Sequence, residues 1–304
     1  MSEPHLNWRE WVPEFVLLAL LWGSSFLFMR EGAHAFGPFP TAWVRITLAA
    51  VILTPVLVWR REVAVLKQHW RPTLSSGLLN TGIPFACYAY ALMHINTGLT
   101  SILNATTPLF GALIAWAWLG DRLNAIRAWG LTLGFTGVVL LASDAPGGIS
   151  FKEGGSGLAV VACLGAAFCY GLAGSFTKKY LQGVPSLVTT TGSLWGASLG
   201  LALPAWLMWP ESTPNLRAWV ALAIAGLLCT ALAYVLYFRL MSRTGPARAM
   251  TVTYLIPVFA NVFGMIFLNE IVTHWMMGSA VVIVVGTALA SGLIKANSIA
   301  YKKP

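Results

Sequence analysis

The chain has 304 residues, 57% of them hydrophobic and only 10% charged, against roughly 45–50% and 25% in soluble globular chains. Nineteen Lys and Arg face ten Asp and Glu, a formal net charge of +9. This excludes a disordered chain, a disulfide scaffold and an ordinary soluble enzyme, and leaves membrane or nucleic acid to account for the basic excess.

Ten apolar stretches follow one another, at residues 13–29, 40–59, 73–92, 98–119, 126–143, 157–177, 186–209, 217–238, 248–268 and 273–294. A span needs about 20 mainly apolar residues to cross about 30 Å of hydrocarbon. With no water in that layer, each run must bond its own backbone, so helix is expected throughout. Ala33-His34-Ala35 resembles a cleavage site, but Glu3, Arg9 and Glu10 precede the first run, so it lacks a basic leader and reads as a span. Cys87, Cys163, Cys169 and Cys229 all fall inside spans without metal spacing and read as small buried apolar residues. The expected fold is an all-α integral membrane protein of ten transmembrane helices.

The charges sort by side. With a cytoplasmic N-terminus, the cytoplasmic segments hold Arg9, Arg60, Arg61, Lys67, Arg71, Arg122, Arg127, Lys178, Lys179, Arg239, Arg243, Arg248, Lys295, Lys302 and Lys303. The opposite loops hold Arg30, Lys152 and Arg217, and Arg45 alone lies within a span. Fifteen against three is a positive-inside pattern, which puts both termini in the cytoplasm of a cell-membrane protein. Nucleic-acid binding would need a clustered basic face with stacking aromatics, and no loop is long enough to build one.

The chain also repeats itself. A shift of 149 residues lays Gly77-Leu78-Leu79 on Gly226-Leu227-Leu228, Thr81 on Thr230, Tyr88 on Tyr237, Pro108 on Pro257, Phe110 on Phe259, Asp121 on Glu270 and Gly137 on Gly286. Near the start of each half, a shift of 148 pairs Trp22-Gly23 with Tyr170-Gly171 and Arg30 with Lys178. Two five-helix repeats result, over 13–143 and 157–294. Five is odd, so the second half enters the membrane inverted. Inverted repeats are a signature of secondary transporters, with the site between them near the midplane.

These residues carry a family resemblance over about 15–293. Trp22-Gly23-Ser24-Ser25-Phe26 resembles the opening of the EamA-type branch of the drug/metabolite transporter superfamily. Ala42-x-x-Arg45 resembles its second-helix signature. Thr107-Pro108-Leu109-Phe110, Leu119-Gly120-Asp121 and Gly137-Val138-Val139-Leu140 resemble the end of one such domain, and Ile256-Pro257-Val258-Phe259, Leu268-Asn269-Glu270 and Gly286 repeat it. The family pattern carries Glu where this chain has Asp121, and the second half has Thr190 where the first has Arg45. The resemblance implies a ten-helix exporter of amino acids, related metabolites or toxic amphipathic solutes. It places helices one, three and four of each half around a central cavity.

Candidate cavity residues are Trp22, Tyr88, Asn104, Thr107, Tyr170, Thr253, Tyr237, Tyr254 and Asn261, with Tyr90 and Tyr234 on the same implied helices. Pro108 and Pro257 read as matched mid-helix kinks that free the carbonyls of Asn104 and Thr253 for a wet cavity. Pro84 similarly frees Asn80, without a match in the other half. Arg45 sits five residues into its span. A buried charge is a functional candidate, yet its stem can snorkel to the surface roughly 8 Å away, so a structural role is expected over direct binding of a substrate carboxylate. Glu14, Asp121 and Glu270 all lie at span ends, so no carboxylate proton relay is expected, and transport reads as facilitated diffusion or exchange down the substrate gradient. Neither cofactor nor metal is expected. The partners are a small solute and the bilayer, with the oligomeric state open between monomer and homodimer.

An enzyme is the competing class. Gly196-Ala197-Ser198-Leu199-Gly200 spells a nucleophile elbow, but inside an apolar helix rather than a strand–turn–helix. It also spells GxxxG, as do Gly130 and Gly134, so helix packing is the reading. A non-transporting helper or lipid-handling protein is the remaining alternative.

Overall fold

The computed structural model describes residues 8–143, 156–245 and 249–292. Lys152, Arg248, Lys295, Lys302 and Lys303 lie outside the described residues. Within them the chain is helical, with no strand. The helices are α1 (Trp8–Phe36), α2 (Pro38–Trp59), a short α3 (Val63–Gln68), α4 (70–92), α5 (Thr97–Leu119), α6 (Ala125–Ser143), α7 (Ser156–Tyr180), α8 (Ser186–Leu207), α9 (Leu216–Thr244), α10 (Thr251–Leu268) and α11 (His274–Ala290).

Seven of these, α1, α2, α5, α6, α7, α9 and α10, are long and apolar enough to cross a membrane. Polar residues dilute the other long helices: Arg71, Ser75 and Ser76 near the start of α4, and Thr189-Thr190-Thr191 near the start of α8. Helix α11 is apolar but has only 17 residues. Large apolar side chains such as Val51, Leu199, Leu203, Ile266 and Val281 point outward. Such a surface suits hydrocarbon rather than water. Trp59, Trp70, Trp209 and Trp219 are exposed at or near helix ends, as expected for interface tryptophans.

Helix packing is unchanged when the halves are exchanged. Helix α1 packs on α9 and α10, and its counterpart α7 packs on α4 and α5. Helix α2 meets α8 and α9, and α8 meets α2 and α4. Helices α6 and α11 pack chiefly on each other. Glycines set the closest approaches. A Cβ on Gly23 would lie 2.5 Å from Phe259 Cβ, and one on Gly171 would lie 2.7 Å from the Gly111 nitrogen. Phe259 and Phe110 occupy matched positions, so the Trp-Gly and Tyr-Gly pairs do the same packing in each half. The GxxxG strings likewise pack. Gly130 and Gly134 meet Gly286 across the α6–α11 seam, and Gly196 meets the backbone of Leu74 on α4.

Backbone irregularities repeat too. Helix α4 contains a π-helical turn at Leu78–Gly82 and α9 one at Leu227–Leu232. In each, a buried threonine donates to a backbone carbonyl inside its own helix, Thr81 to Gly77 (3.0 Å) and Thr230 to Ala225 (2.8 Å). Pro84 follows only the first turn, so the proline is not the common cause. Gly120 (φ 72°) and Asn269 (φ 52°) end α5 and α10 in the left-handed region, conformations that Gly and Asn adopt at least cost.

The two prolines require a correction. Pro108 and Pro257 do not kink continuous helices. Helix α5 breaks at Ala105–Thr106, and α10 begins as a 3₁₀ segment, Thr251–Tyr254. Each proline sits in the first turn of the second piece, Thr107–Leu119 or Ile256–Leu268. There its missing N–H has no intrahelical partner to lose. The Asn104 carbonyl is not open to a cavity either, since it accepts from Thr107 Oγ1 at 2.8 Å.

Candidate functional site

Five of the expected cavity residues meet at the centre. The Trp22 ring lies 5.4 Å from Tyr237, and Tyr88 stacks on Tyr170 at 6.2 Å. Trp22 matches Tyr170 and Tyr88 matches Tyr237, so the two ring pairs exchange when the halves exchange. Tyr88 is buried and donates to Asn104 Oδ1 at 2.9 Å. That bond satisfies the hydroxyl and ties α4 to the break in α5. Phe26, absent from the sequence candidates, completes the wall edge-on to Tyr88 at 6.0 Å. Being plain Phe, it carries no sequence signal beyond the Trp-Gly-Ser-x-Phe string.

The remaining candidates lie elsewhere. Asn261 donates to its own helix at Pro257 O (2.7 Å) and packs on Gly98. Thr253 Oγ1 bonds Met250 O (2.8 Å), and the Tyr254 hydroxyl faces Ser291 Oγ across 3.4 Å. Thr107 serves the break in α5. The Tyr90 ring lies tilted against His94, 4.5 Å away, near the end of α4. Two clefts of about 320 and 230 Å³ flank α11. One adjoins Leu140, His274 and Trp275, and the other adjoins Pro108, Asp121 and Ser291. Neither is lined by the central aromatics.

Arg45 does not snorkel. Its side chain is buried, 3% exposed. It turns into the bundle, where Nε donates to Thr230 Oγ1 at 2.8 Å, Nη1 meets Met29 Sδ at 3.4 Å, and the guanidinium lies 4.1 Å over the Phe85 ring. The surface is close along the helix axis, but the side chain follows the packed face of α2 rather than its end. Its counterpart also needs correcting. The Arg45 carbonyl packs on Gly226 as the Ser193 carbonyl packs on Gly77. Gly77 and Gly226 are matched, so Ser193, not Thr190, holds the place of Arg45.

Two ion pairs mark opposite ends of the bundle, and their members match across the repeat. Glu270 pairs with Arg30 and accepts from Thr97 N at 2.9 and 3.0 Å and from Thr97 Oγ1 at 2.6 Å. Its side chain is only 7% exposed. Asp121 pairs with Lys178 at 2.9 Å, with side chains 39% and 60% exposed. Charges at span ends thus link the halves, here and in the Glu31–Arg217 and Glu14–Arg239/Arg243 pairs. The signal was present, because both acids and both bases fall in register.

Similarity to known proteins settles the class. The EamA-like transporter family profile matches residues 11–143 and again 157–292. The chain belongs to this family, within the drug/metabolite transporter superfamily. It is similar to the uncharacterized transporter YvbV of Bacillus subtilis, 26% identical over 93% of this chain and 92% of the relative. It is also similar to a probable terminal-alkyne amino-acid exporter of Streptantibioticus cattleyicolor, 26% identical over 84% of each chain. The inner membrane transporter YedA of Escherichia coli is 24% identical over 85% and 84%. A solved crystal structure aligns over 94% of this chain and 97% of its own, with a TM-score of 0.65 at 22% identity, and so shares the fold. The chain is therefore a multi-pass membrane transporter of the EamA type and not an enzyme. Its partners are a small solute and the bilayer.

Proposed function

We propose that this transporter exports small amphipathic organic solutes, amino acids among them, across the cell membrane by alternating access. In this reading α4, α8 and α11 cross the bilayer with the seven longer apolar helices, making ten spans. Residues 13–143 and 157–294 form two inverted repeats, and both termini are cytoplasmic. The solute sits among Trp22, Tyr88, Tyr170 and Tyr237. Aromatic faces suit an apolar body and an ammonium group alike.

The observation that carries the mechanism is the pair of matched end links. Rocking of two halves around a fixed site needs one closure on each face, broken in turn. Arg30–Glu270 with Thr97 supplies the outer one and Lys178–Asp121 the inner one. The amino-acid reading draws support from the similarity to the amino-acid exporter. Movement follows the solute gradient or exchange.

Purified protein in liposomes tests this directly. Saturable counterflow of an amino acid or an amphipathic amine is expected. No flux across a broad solute panel would favour a helper role. Uptake that concentrates strictly with an imposed pH gradient would replace the gradient-driven step with proton coupling.

A further inference from the structure

Among the described residues, no acid pairs with Arg45, a cation buried inside the bundle. The described acids pair elsewhere or lie away from it. Glu14 takes Arg239 and Arg243, Glu31 takes Arg217, Asp121 takes Lys178 and Glu270 takes Arg30. Glu62 and Glu211 stand in the loops after α2 and α8. A guanidinium has five N–H donors. Among the described residues this one gives two, to the Thr230 hydroxyl and the Met29 thioether. Thr230 is held for the task, because its own proton goes to Ala225 O and a lone pair is left for Arg45. The thioether is a weak acceptor on a flexible stem.

The charge also adjoins the solute site. Phe85, under its guanidinium, lies in an apolar cluster against which Tyr170 packs, and Tyr170 stacks on Tyr88. An isolated charge at this depth is costly, and a carboxylate that takes two parallel N–H bonds from a guanidinium is its best complement. The matched place in the other half holds Ser193, so among the described residues the seat has no counterpart there.

We propose that Arg45 is the anion seat of the transporter. It binds the carboxylate of an amino acid or similar organic acid through its Nη groups, with Met29 withdrawing and the Thr230 bond to Nε retained. The aromatic pairs hold the rest of the solute. This rests on the transport reading above. It makes the chain selective for acids over their neutral or purely cationic analogues.

The test is counterflow in proteoliposomes with the twenty L-amino acids, each paired with its α-amide, plus amphipathic amines. Wild-type protein is expected to carry its preferred acid at least ten-fold faster than the matching amide. Arg45→Gln should bring the acid down to the rate of its amide, and Arg45→Lys should restore part of the difference. Equal rates for acid and amide in the wild type would overturn the proposal. So would an equal loss of both in an Arg45→Gln protein with native melting and gel-filtration behaviour. Should Arg45→Gln not fold, Met29→Leu carries the test. It removes the stand-in acceptor, so the acid's KM should fall about three-fold and the acid-to-amide ratio should rise; a shift common to both solutes would overturn the seat. Flux of amines without acids would sink this proposal and leave the transport reading standing. Flux of nothing would sink both.

Discussion

The end links proposed as outer and inner use matched residues in opposite environments. Glu270 is wrapped by Arg30 and by three contacts from Thr97. Asp121 holds Lys178 in a largely wet setting. A carboxylate with several buried donors leaves costly orphans when removed. An exposed ion pair contributes about 0–1 kcal/mol. The comparison teaches that duplicated halves share a fold without sharing an energy balance. Of the two matched carboxylates, Glu270 is the more firmly held.

The largest expected effect comes from breaking the stronger link. Glu270→Ala strands Arg30 and both donors of Thr97, a loss of about 3 kcal/mol from the outward-closed state. At about 1.4 kcal/mol per decade, that is roughly a 100-fold shift toward outward-open. Transport should fall steeply. In a background freed of Cys87, Cys163, Cys169 and Cys229, a reporter cysteine at Ala33 should label faster from outside. Unchanged labelling would show that Glu270 does not hold the outer face. Next come the ring pairs. Trp22→Ala or Tyr237→Ala should each cut counterflow about ten-fold while expression persists, since each removes one wall of the same aromatic pair. Normal rates in both would move the solute elsewhere. Thr97→Val keeps the backbone donor and deletes the 2.6 Å hydroxyl bond. A loss of about 1 kcal/mol, or three- to ten-fold in outer closure, is expected from the same labelling assay.

Much of this was legible in the sequence. Helix order and the repeat register follow from the apolar runs and from matched residues such as Pro108 and Pro257. The central cluster was half legible. Trp22, Tyr88, Tyr170 and Tyr237 stand out as aromatics in matched positions, but Asn261 and Tyr254 are equally polar and face other helices. Period and composition fix which residues share a helix face, not which neighbour that face meets. The breaks before Pro108 and Pro257 were hidden because neither α5 nor α10 carries a charge on either side of its proline. A proline in the middle of a run and one opening a new piece look alike. The direction of Arg45 was hidden for a related reason. Depth along α2 is countable, but the packed azimuth depends on Met29 of the preceding helix and on Thr230 far along the chain.

The smallest expected effect is the sharpest check on the comparison. Asp121→Asn removes a charge at the position that matches Glu270, so a purely symmetric mechanism predicts equal damage. The environment predicts otherwise. Lys178 stays hydrated when its partner is lost, and side-chain freedom offsets much of the missing attraction. Transport should change by less than three-fold. What remains of the effect should fade with salt, because the Debye length shrinks from about 10 Å at 0.1 M to about 3 Å at 1 M. The Glu270→Ala defect should persist at high salt, since its cause is unpaired buried donors rather than long-range attraction. If Asp121→Asn proved as damaging as Glu270→Ala at every ionic strength, position in the repeat would govern the closures, and burial would not.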